Sequence, residues 1–203
     1  RVYHHPWEND FSLHRNQSIS YARGKWIFII DADEEFIPPE GRSLREELAQ
    51  AEKQKLDCLA LRVRNYISEG TEEVCADSIR FFLNNGVIKY EGIVHNSLTG
   101  TTLAGLSGGT LIHYGYDQGS EMTRKKFERT ATLLRKQISE NPDDPKPHMY
   151  LASSYESLSR LRDACESATR AIDLVEQRDS TDILYFRAYY TAVRTLALEK
   201  SFE

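Results

Sequence analysis

The sequence predicts an α/β unit followed by an all-α unit, and three observations carry that expectation. Before about Gly115, short apolar runs rich in Ile, Val and Phe alternate with polar or amphipathic segments. From Ser120 onward, apolar residues recur at the helical period of 3.6. The change of style falls within residues 115–120 and places the expected division at 1–118 and 119–203. Strands interleaved with helices suit a layered α/β packing, whereas helical repeats pack on one another.

Each element has its own signal. A short helix is expected from about Ser12 to Ala22, stopped at Gly24. "GKWIFIIDAD" follows as a buried strand, an apolar run after a Gly-Lys turn. "RSLREELAQAEKQ" sets Leu44, Leu48 and Ala51 on one helical face. "DCLALRVRNY" alternates Leu59, Leu61 and Val63 against Arg62 and Arg64, the mark of a half-buried strand. "SIRFFLNNGVIKYEGIVHNSL" reads as two strands joined at Asn84-Asn85-Gly86, with Asn85-Gly86 a hairpin signal. "GGTLIHYGY" supplies one more strand.

The helical part opens with Phe127, Ala131, Leu134 and Ile138 on one face and stops before Pro142. A helix hairpin is then expected, with Leu151, Ala152, Tyr155, Ala164, Ala168 and Ala171 at tetratricopeptide offsets. His148 stands where that repeat usually has an aromatic residue, and the closing Pro is missing. A poorer second copy begins near Asp182, with Tyr185 and Tyr189 one period beyond Leu151 and Tyr155. Repeats bury their faces on neighbours, so this tail is expected to leave an apolar face for a protein partner or a homodimer.

Composition narrows the class. Charged residues at 28% and a net charge of −5 suit a globular chain and give no basic excess for wrapping nucleic acid. Cys58, Cys75 and Cys165 lack metal-type spacing and read as reduced thiols of a cytoplasmic protein. No apolar run nears the ~20 residues of a membrane span, and no signal peptide is visible. The chain opens on Arg1 in mid-phrase, so a longer protein is expected around it.

The chemistry centres on the acids after the Trp26–Ile30 run. Along a strand, residues two apart point the same way, so Asp31 and Asp33 are expected to share one side. In open α/β sheets the ligand crevice lies beyond the carboxyl ends of the strands. Two hard carboxylates there suit Mg²⁺ or Mn²⁺, which share oxygen ligands with substrate phosphates. The plain alternative is an acidic loop. Arg15 and Asn16 sit early in the preceding helix, where a cation and backbone N–H groups both face an anion. For Arg15 the alternative is a surface ion pair, worth little.

These residues resemble family 2 glycosyltransferases of the GT-A fold. Asp10, Phe11, Ser12, Arg15, Asn16, Gly24, Trp26, Ile27, Asp31 and Asp33 stand in the order of the family's D-F-S-x-x-R-N, G-x-W-I and D-x-D phrases. "IRFFLNNGVIKYEGIVHNSL" is similar to its arginine-led strand, hairpin and Y-E-G-x-V-H segment. "LIHYGY", a basic helix and "ENPDDP" are similar to a bacterial subgroup with a tetratricopeptide tail. The resemblance implies a partial, Rossmann-like GT-A domain whose N-terminal nucleotide-binding half lies outside this chain.

It also implies a reaction and roles. A sugar would move from a nucleoside-diphosphate donor to an acceptor hydroxyl on a saccharide, lipid or peptide, with inversion, at the inner face of the membrane or in the cytoplasm. Asp33 would bind the metal directly, and Asp31 would support it through a water or the ribose. Glu91 and His95 are the candidate general bases, with Glu34 behind them; a solvated hairpin carboxylate is the alternative for Glu91. Many relatives carry an acid after that histidine, where this chain has Asn96. His113 is a candidate third metal or diphosphate ligand, against a merely hydrogen-bonded histidine. Arg124, Lys125 and Lys126 follow "GYDQGS", a loop that could close over the donor; the alternative is an exposed helix face. Arg80 reaches the acceptor or steadies the sheet.

Rival classes fit less well. The paired acids of a glycoside hydrolase flank the sugar from opposite sides, unlike neighbours two apart. A nucleotidyltransferase needs a Gly-rich, lysine-bearing loop, and none is here. A non-enzymatic scaffold built on the helical tail stays open beside the transferase.

Overall fold

The computed structural model describes residues 2–67, 71–74, 77–114, 120–178 and 186–200. They form two compact units. The α/β unit comprises residues 12–91 and 96–118; the helical unit comprises 119–203 together with 1–11 and 92–95.

The α/β unit is a mixed sheet with two helices. Helix α1 spans Phe11–Ser20 and α2 spans Leu44–Lys53. The main sheet contains β1 (Trp26–Phe28), β2 (Glu34–Ile37), β3 (Cys58–Ile67), β4 (Thr71–Val74), β5 (Ser78–Leu83) and β8 (Ala104–His113). Their order is β1-β5-β3-β8-β2, with β4 on β3. Strand β8 runs parallel to β3 and antiparallel to β2. A separate ribbon pairs β6 (Lys89–Glu91) with β7 (Ser97–Thr99).

Local chemistry accounts for several of these choices. Ser43 accepts from the Glu46 N–H while the Glu46 carboxylate accepts from the Ser43 N–H, a reciprocal cap that starts α2. That helix then lays Ala51, Leu44 and Leu48 on a core of Leu59, Leu61, Val63, Phe81 and Leu111. Two of its own carboxylates fasten it to neighbouring elements. Glu52 accepts from Lys25 Nζ and Trp26 Nε1, and buried Glu47 accepts from Ser107 Oγ and the Gly108 N–H. A second cluster, Ile27, Cys58, Phe82, Ile88 and Tyr90, takes Ile19 of α1.

Three expectations need correction. The strand after Lys25 ends at Phe28; Ile29 and Ile30 lie beyond it, and Ile30 is exposed. Asp31, Ala32 and Asp33 therefore sit on a turn, closed by Glu34 N–H donating to the Asp31 carbonyl, and strand parity does not govern them. The segments around Asn84-Asn85-Gly86 are not a hairpin. Asn85 Oδ1 accepts from the N–H groups of Val87 and Ile88, a tight turn that redirects the chain. β5 thus pairs with β1 and β3, and β6 pairs with β7. Strand β2, missed by the apolar pattern, alternates only half-buried and exposed residues at the sheet edge.

The helical unit contains α3 (Ser120–Glu140), α4 (Pro145–Ser157), α5 (Leu161–Glu176) and α6 (Phe186–Lys200). Asp144 caps α4 by accepting from the Lys146 N–H, with Pro145 at the first helical position. Leu134, Leu151, Tyr155 and Ala164 share one core. Ala152, Ala168 and Ala192 share another, where small side chains let helices approach closely. The offset proposed for the second repeat is not followed: Tyr189 is exposed, whereas Ala188, Thr191, Ala192 and Thr195 are buried; Tyr185 lies outside the described residues. Phe186, Tyr190, Val193 and Leu196 are exposed on α6. No helix among the described residues is long and apolar enough to cross a membrane.

Candidate functional site

The turn at residues 31–34 is built from charge. Asp31 receives Arg15 Nη2 on both oxygens, at 3.1 and 3.2 Å. The Arg15 guanidinium lies 5.2 Å from the centre of the Tyr90 ring, a distance at which ring and cation attract. Burial raises the pKa of the Tyr90 hydroxyl. Asn16, one residue along α1, accepts from the Tyr90 N–H and donates to the Tyr90 carbonyl, both at 2.9 Å. Its amide completes the backbone pairing of β6, so Asn16 sets where Tyr90 lies.

Glu34 closes the other side. Its carboxylate takes a forked pair from Arg80, at 2.6 and 2.9 Å, and accepts from the Asp31 N–H at 2.8 Å. The Glu34 side chain is 3% exposed and that of Arg80 12%. Bidentate geometry and low exposure make this the strongest charge pair of the turn. Arg80 therefore steadies the sheet, and Glu34 is held as an ion-pair acceptor, unlike the base the sequence allowed.

Asp33 differs. Its carboxylate faces an imidazole: His113 Nε2 stands 3.3 Å from Asp33 Oδ2. The sheet brings the two together. Glu34 is in register with His113, and the Tyr114 N–H donates to the Asp33 carbonyl at 2.9 Å. On its other edge His113 is in register with Asn65, whose Oδ1 lies 2.8 Å from His113 Nδ1. Each ring nitrogen therefore faces an oxygen, and with hydrogen on Nδ1 the ring donates to Asn65 and turns its Nε2 lone pair toward Asp33. In that tautomer nitrogen and carboxylate oxygen are both acceptors, an arrangement that a cation between them would stabilise.

This donor set fits a hard or borderline divalent cation. An Asp oxygen and a His nitrogen converge, half of the Asp33 side chain is open, and phosphate oxygens can fill other positions. No group of three acidic, histidine or cysteine side chains is assembled for a metal among the described residues. Asp31 is turned to Arg15 and lies 3.9 Å from Arg80 Nη1, so the two aspartates stand in different surroundings.

The remaining candidates lie elsewhere. Glu91 is exposed, on the face of β6 opposite Tyr90, and pairs with Lys89 Nζ at 2.9 Å. His95 belongs to the helical unit, at φ 49°, with its ring stacked 4.1 Å from that of Tyr150. That packing, with Arg187, Lys126 and Lys146 adding positive charge, pushes its pKa down to about 4. Arg124 and Lys125 are exposed on α3 and pair with Glu128 and Glu121 one turn away. The "GYDQGS" loop lies, up to Gly119, outside the described residues.

Asn65 is the residue that sequence reasoning passed over. A signal existed: it shares the inward parity of Leu59, Leu61 and Val63, and a buried amide in such a row needs a polar partner. Glu34 and Arg80, 46 residues apart, offered no such signal.

Comparison with known proteins adds the family. The model for "Glycosyl transferase family 2" matches residues 1–130. The SPbeta prophage-derived glycosyltransferase SunS of Bacillus subtilis (strain 168) is 28% identical over 174 residues, 82% of this chain and 40% of that protein. A TPR repeat-containing protein of Synechococcus elongatus is 27% identical over 206 residues, 95% of this chain and 49% of that protein. The chain thus spans about half or less of the length of these relatives.

Proposed function

Because the chain belongs to glycosyl transferase family 2, we propose that it carries the diphosphate-facing part of a metal-dependent transferase, which moves a sugar from a nucleoside-diphosphate donor to an acceptor hydroxyl. The observation that supports this most is the contrast between the two aspartates of the turn. Arg15 neutralises Asp31, while the Asp33 carboxylate faces a histidine nitrogen. Asp33 and His113 would hold Mg²⁺ or Mn²⁺, which when bound supplies positive charge to a departing diphosphate. Asp31, fixed by Arg15 and by the Glu34–Arg80 pair, holds the turn in shape and offers an acceptor to a ribose hydroxyl. Arg15 adds a cation beside the phosphates.

An inverting transfer needs a base at the acceptor hydroxyl. Glu91, exposed on β6, is the first candidate; neutral His95 is the second. Arg124 and Lys125 are proposed as donor contacts. The acceptor is a saccharide, lipid or peptide, and the cytoplasm or the inner face of the membrane is the proposed setting.

The test is calorimetric titration of the full-length protein with Mn²⁺ and a panel of nucleotide sugars. Metal-dependent heat with one donor is expected, and silence from every donor with the fold intact removes the reading. Asp33→Asn should cost several kcal/mol of transition-state stabilisation. At about 1.4 kcal/mol per factor of ten, that is a loss in kcat of roughly 10²–10³.

A second reading keeps the helical unit as a protein-binding scaffold. The exposed Phe186, Tyr190, Val193 and Leu196 on α6 favour it. Peptide binding to the tail that persists in Asp33→Ala would support this role beside, or instead of, catalysis.

A further inference from the structure

The alignment of Asn65, His113 and Asp33 across β3, β8 and the start of β2 points to a role for a residue that is itself out of reach of any substrate. Asn65 is 3% exposed and sits on the core side of β3. Its oxygen meets His113 Nδ1 at 2.8 Å, and His113 Nε2 in turn lies 3.3 Å from Asp33 Oδ2. Parallel register puts Asn65 opposite His113, and antiparallel register puts Glu34 on the other side. The imidazole is therefore gripped from one neighbouring strand and aimed at the chain entering the other.

We propose that Asn65 is a positioning residue: by accepting from His113 Nδ1–H it fixes the ring's tautomer and aims Nε2 at the Asp33 carboxylate, so that nitrogen and oxygen act as one divalent-cation clasp. The inference rests on the metal reading above and deepens it. A free imidazole has two tautomers and a ring that can flip, so a ligand nitrogen is presented only part of the time. An acceptor on Nδ1 removes both freedoms, and losing such an outer partner typically lowers metal affinity by about 10–100-fold. Leucine is close to asparagine in shape but cannot accept the bond, whereas aspartate keeps an acceptor oxygen.

The experiment uses the full-length protein, its Asn65→Leu and Asn65→Asp variants, and His113→Ala alone and combined with Asn65→Leu. Two quantities are read: the His113 tautomer, from ¹⁵N shifts of labelled imidazole, and Mn²⁺ affinity, from calorimetry with the metal alone. Expected are Nδ1–H in the wild type, a shift toward Nε2–H in Asn65→Leu, and roughly 10–100-fold weaker Mn²⁺ binding there. Asn65→Asp should recover most of both, and Asn65→Leu should add nothing once His113 is alanine. If Asn65→Leu fails to fold, Asn65→Asp and Asn65→Ser take its place, and binding must track the Nδ1–H fraction across them. Wild-type Mn²⁺ affinity retained in a variant that has lost the Nδ1–H tautomer overturns this inference alone. A wild type that binds no Mn²⁺ overturns the metal reading and, with it, the clasp.

Discussion

The acidic turn of one unit and the helix junctions of the other are held by opposite means. In the α/β unit, the candidate site stands on pairs of opposite charge: Arg15 with Asp31, Arg80 with Glu34, and His113 beside Asp33. In the helical unit, the junctions are made by small apolar residues. Ala152, Ala164, Ala168 and Ala171 are each 0% exposed. Charge pairs are directional and can be re-formed by a ligand with charge of its own, whereas methyl groups in a close-packed junction have one arrangement. The difference suits a responsive turn in one unit and a stiff support in the other.

The largest expected effect comes from breaking the most enclosed pair. Arg80→Ala leaves the Glu34 carboxylate without its forked partner in a site 3% exposed, and removing one member of a buried pair costs about 3–5 kcal/mol. Urea denaturation should show this loss, and Arg80→Met with Glu34→Gln should recover part of it. Equal losses in single and double variants would mean that the pair is not what supports the turn.

Leu134→Ala is the counterpart in the helical unit. The side chain is 0% exposed in the core shared with Leu151, Tyr155 and Ala164, and such truncations cost about 2–5 kcal/mol through lost transfer and the cavity left behind. The loss should appear in the helical unfolding transition, with Mn²⁺ affinity of the folded protein unchanged. A weakened affinity would show that the turn depends on this packing.

That comparison also explains what the sequence could show. Local patterns were legible: the capping box at Ser43, the inward row Leu59, Leu61 and Val63, and the alanine offsets of α4 and α5 all rest on neighbours a few positions away. The place of the acidic turn was legible too, because the apolar run before Asp31 is broken abruptly. The separate fates of its acids were not. Arg15 reaches Asp31 across 16 positions, and His113 reaches Asp33 across 80. Such partners are chosen by sheet register, which no short stretch encodes. The hairpin expected at Asn85-Gly86 failed for the same reason: its turn chemistry is present, but β3 and β1 offer β5 longer-range partners.

Acid should act on the helical unit through its histidines. Burial lowers the pKa of His148, whose Nε2–H donates to the Pro142 carbonyl, and His95 is pushed down to about 4. Both groups titrate near 6.5 when unfolded. Between those values the unfolded chain binds more protons than the folded one, so stability rises with pH. The contribution of His95 is complete above about 6.5 and is lost as the pH falls toward 4, and that of His148 has the same sign. Melting temperatures measured across that window should fall with acid, and His95→Gln should flatten the fall. An unchanged slope would place the ring in water, free of Tyr150.

The smallest effect is expected on the exposed face of α3. Arg124 and Lys125 each pair with a glutamate four positions away, in solvent. Pairs of this kind contribute about 0.3–0.5 kcal/mol, so Arg124→Ala and Lys125→Ala should move stability by no more than that. Their use lies in what else changes. If these cations meet the donor phosphates, as proposed, each alanine variant raises the donor KM while leaving stability almost untouched. A charge that is nearly idle in the folded chain is then put to use only when substrate arrives. If KM stays at the wild-type value in both, α3 presents an ordinary solvated face, and donor binding rests on the turn alone.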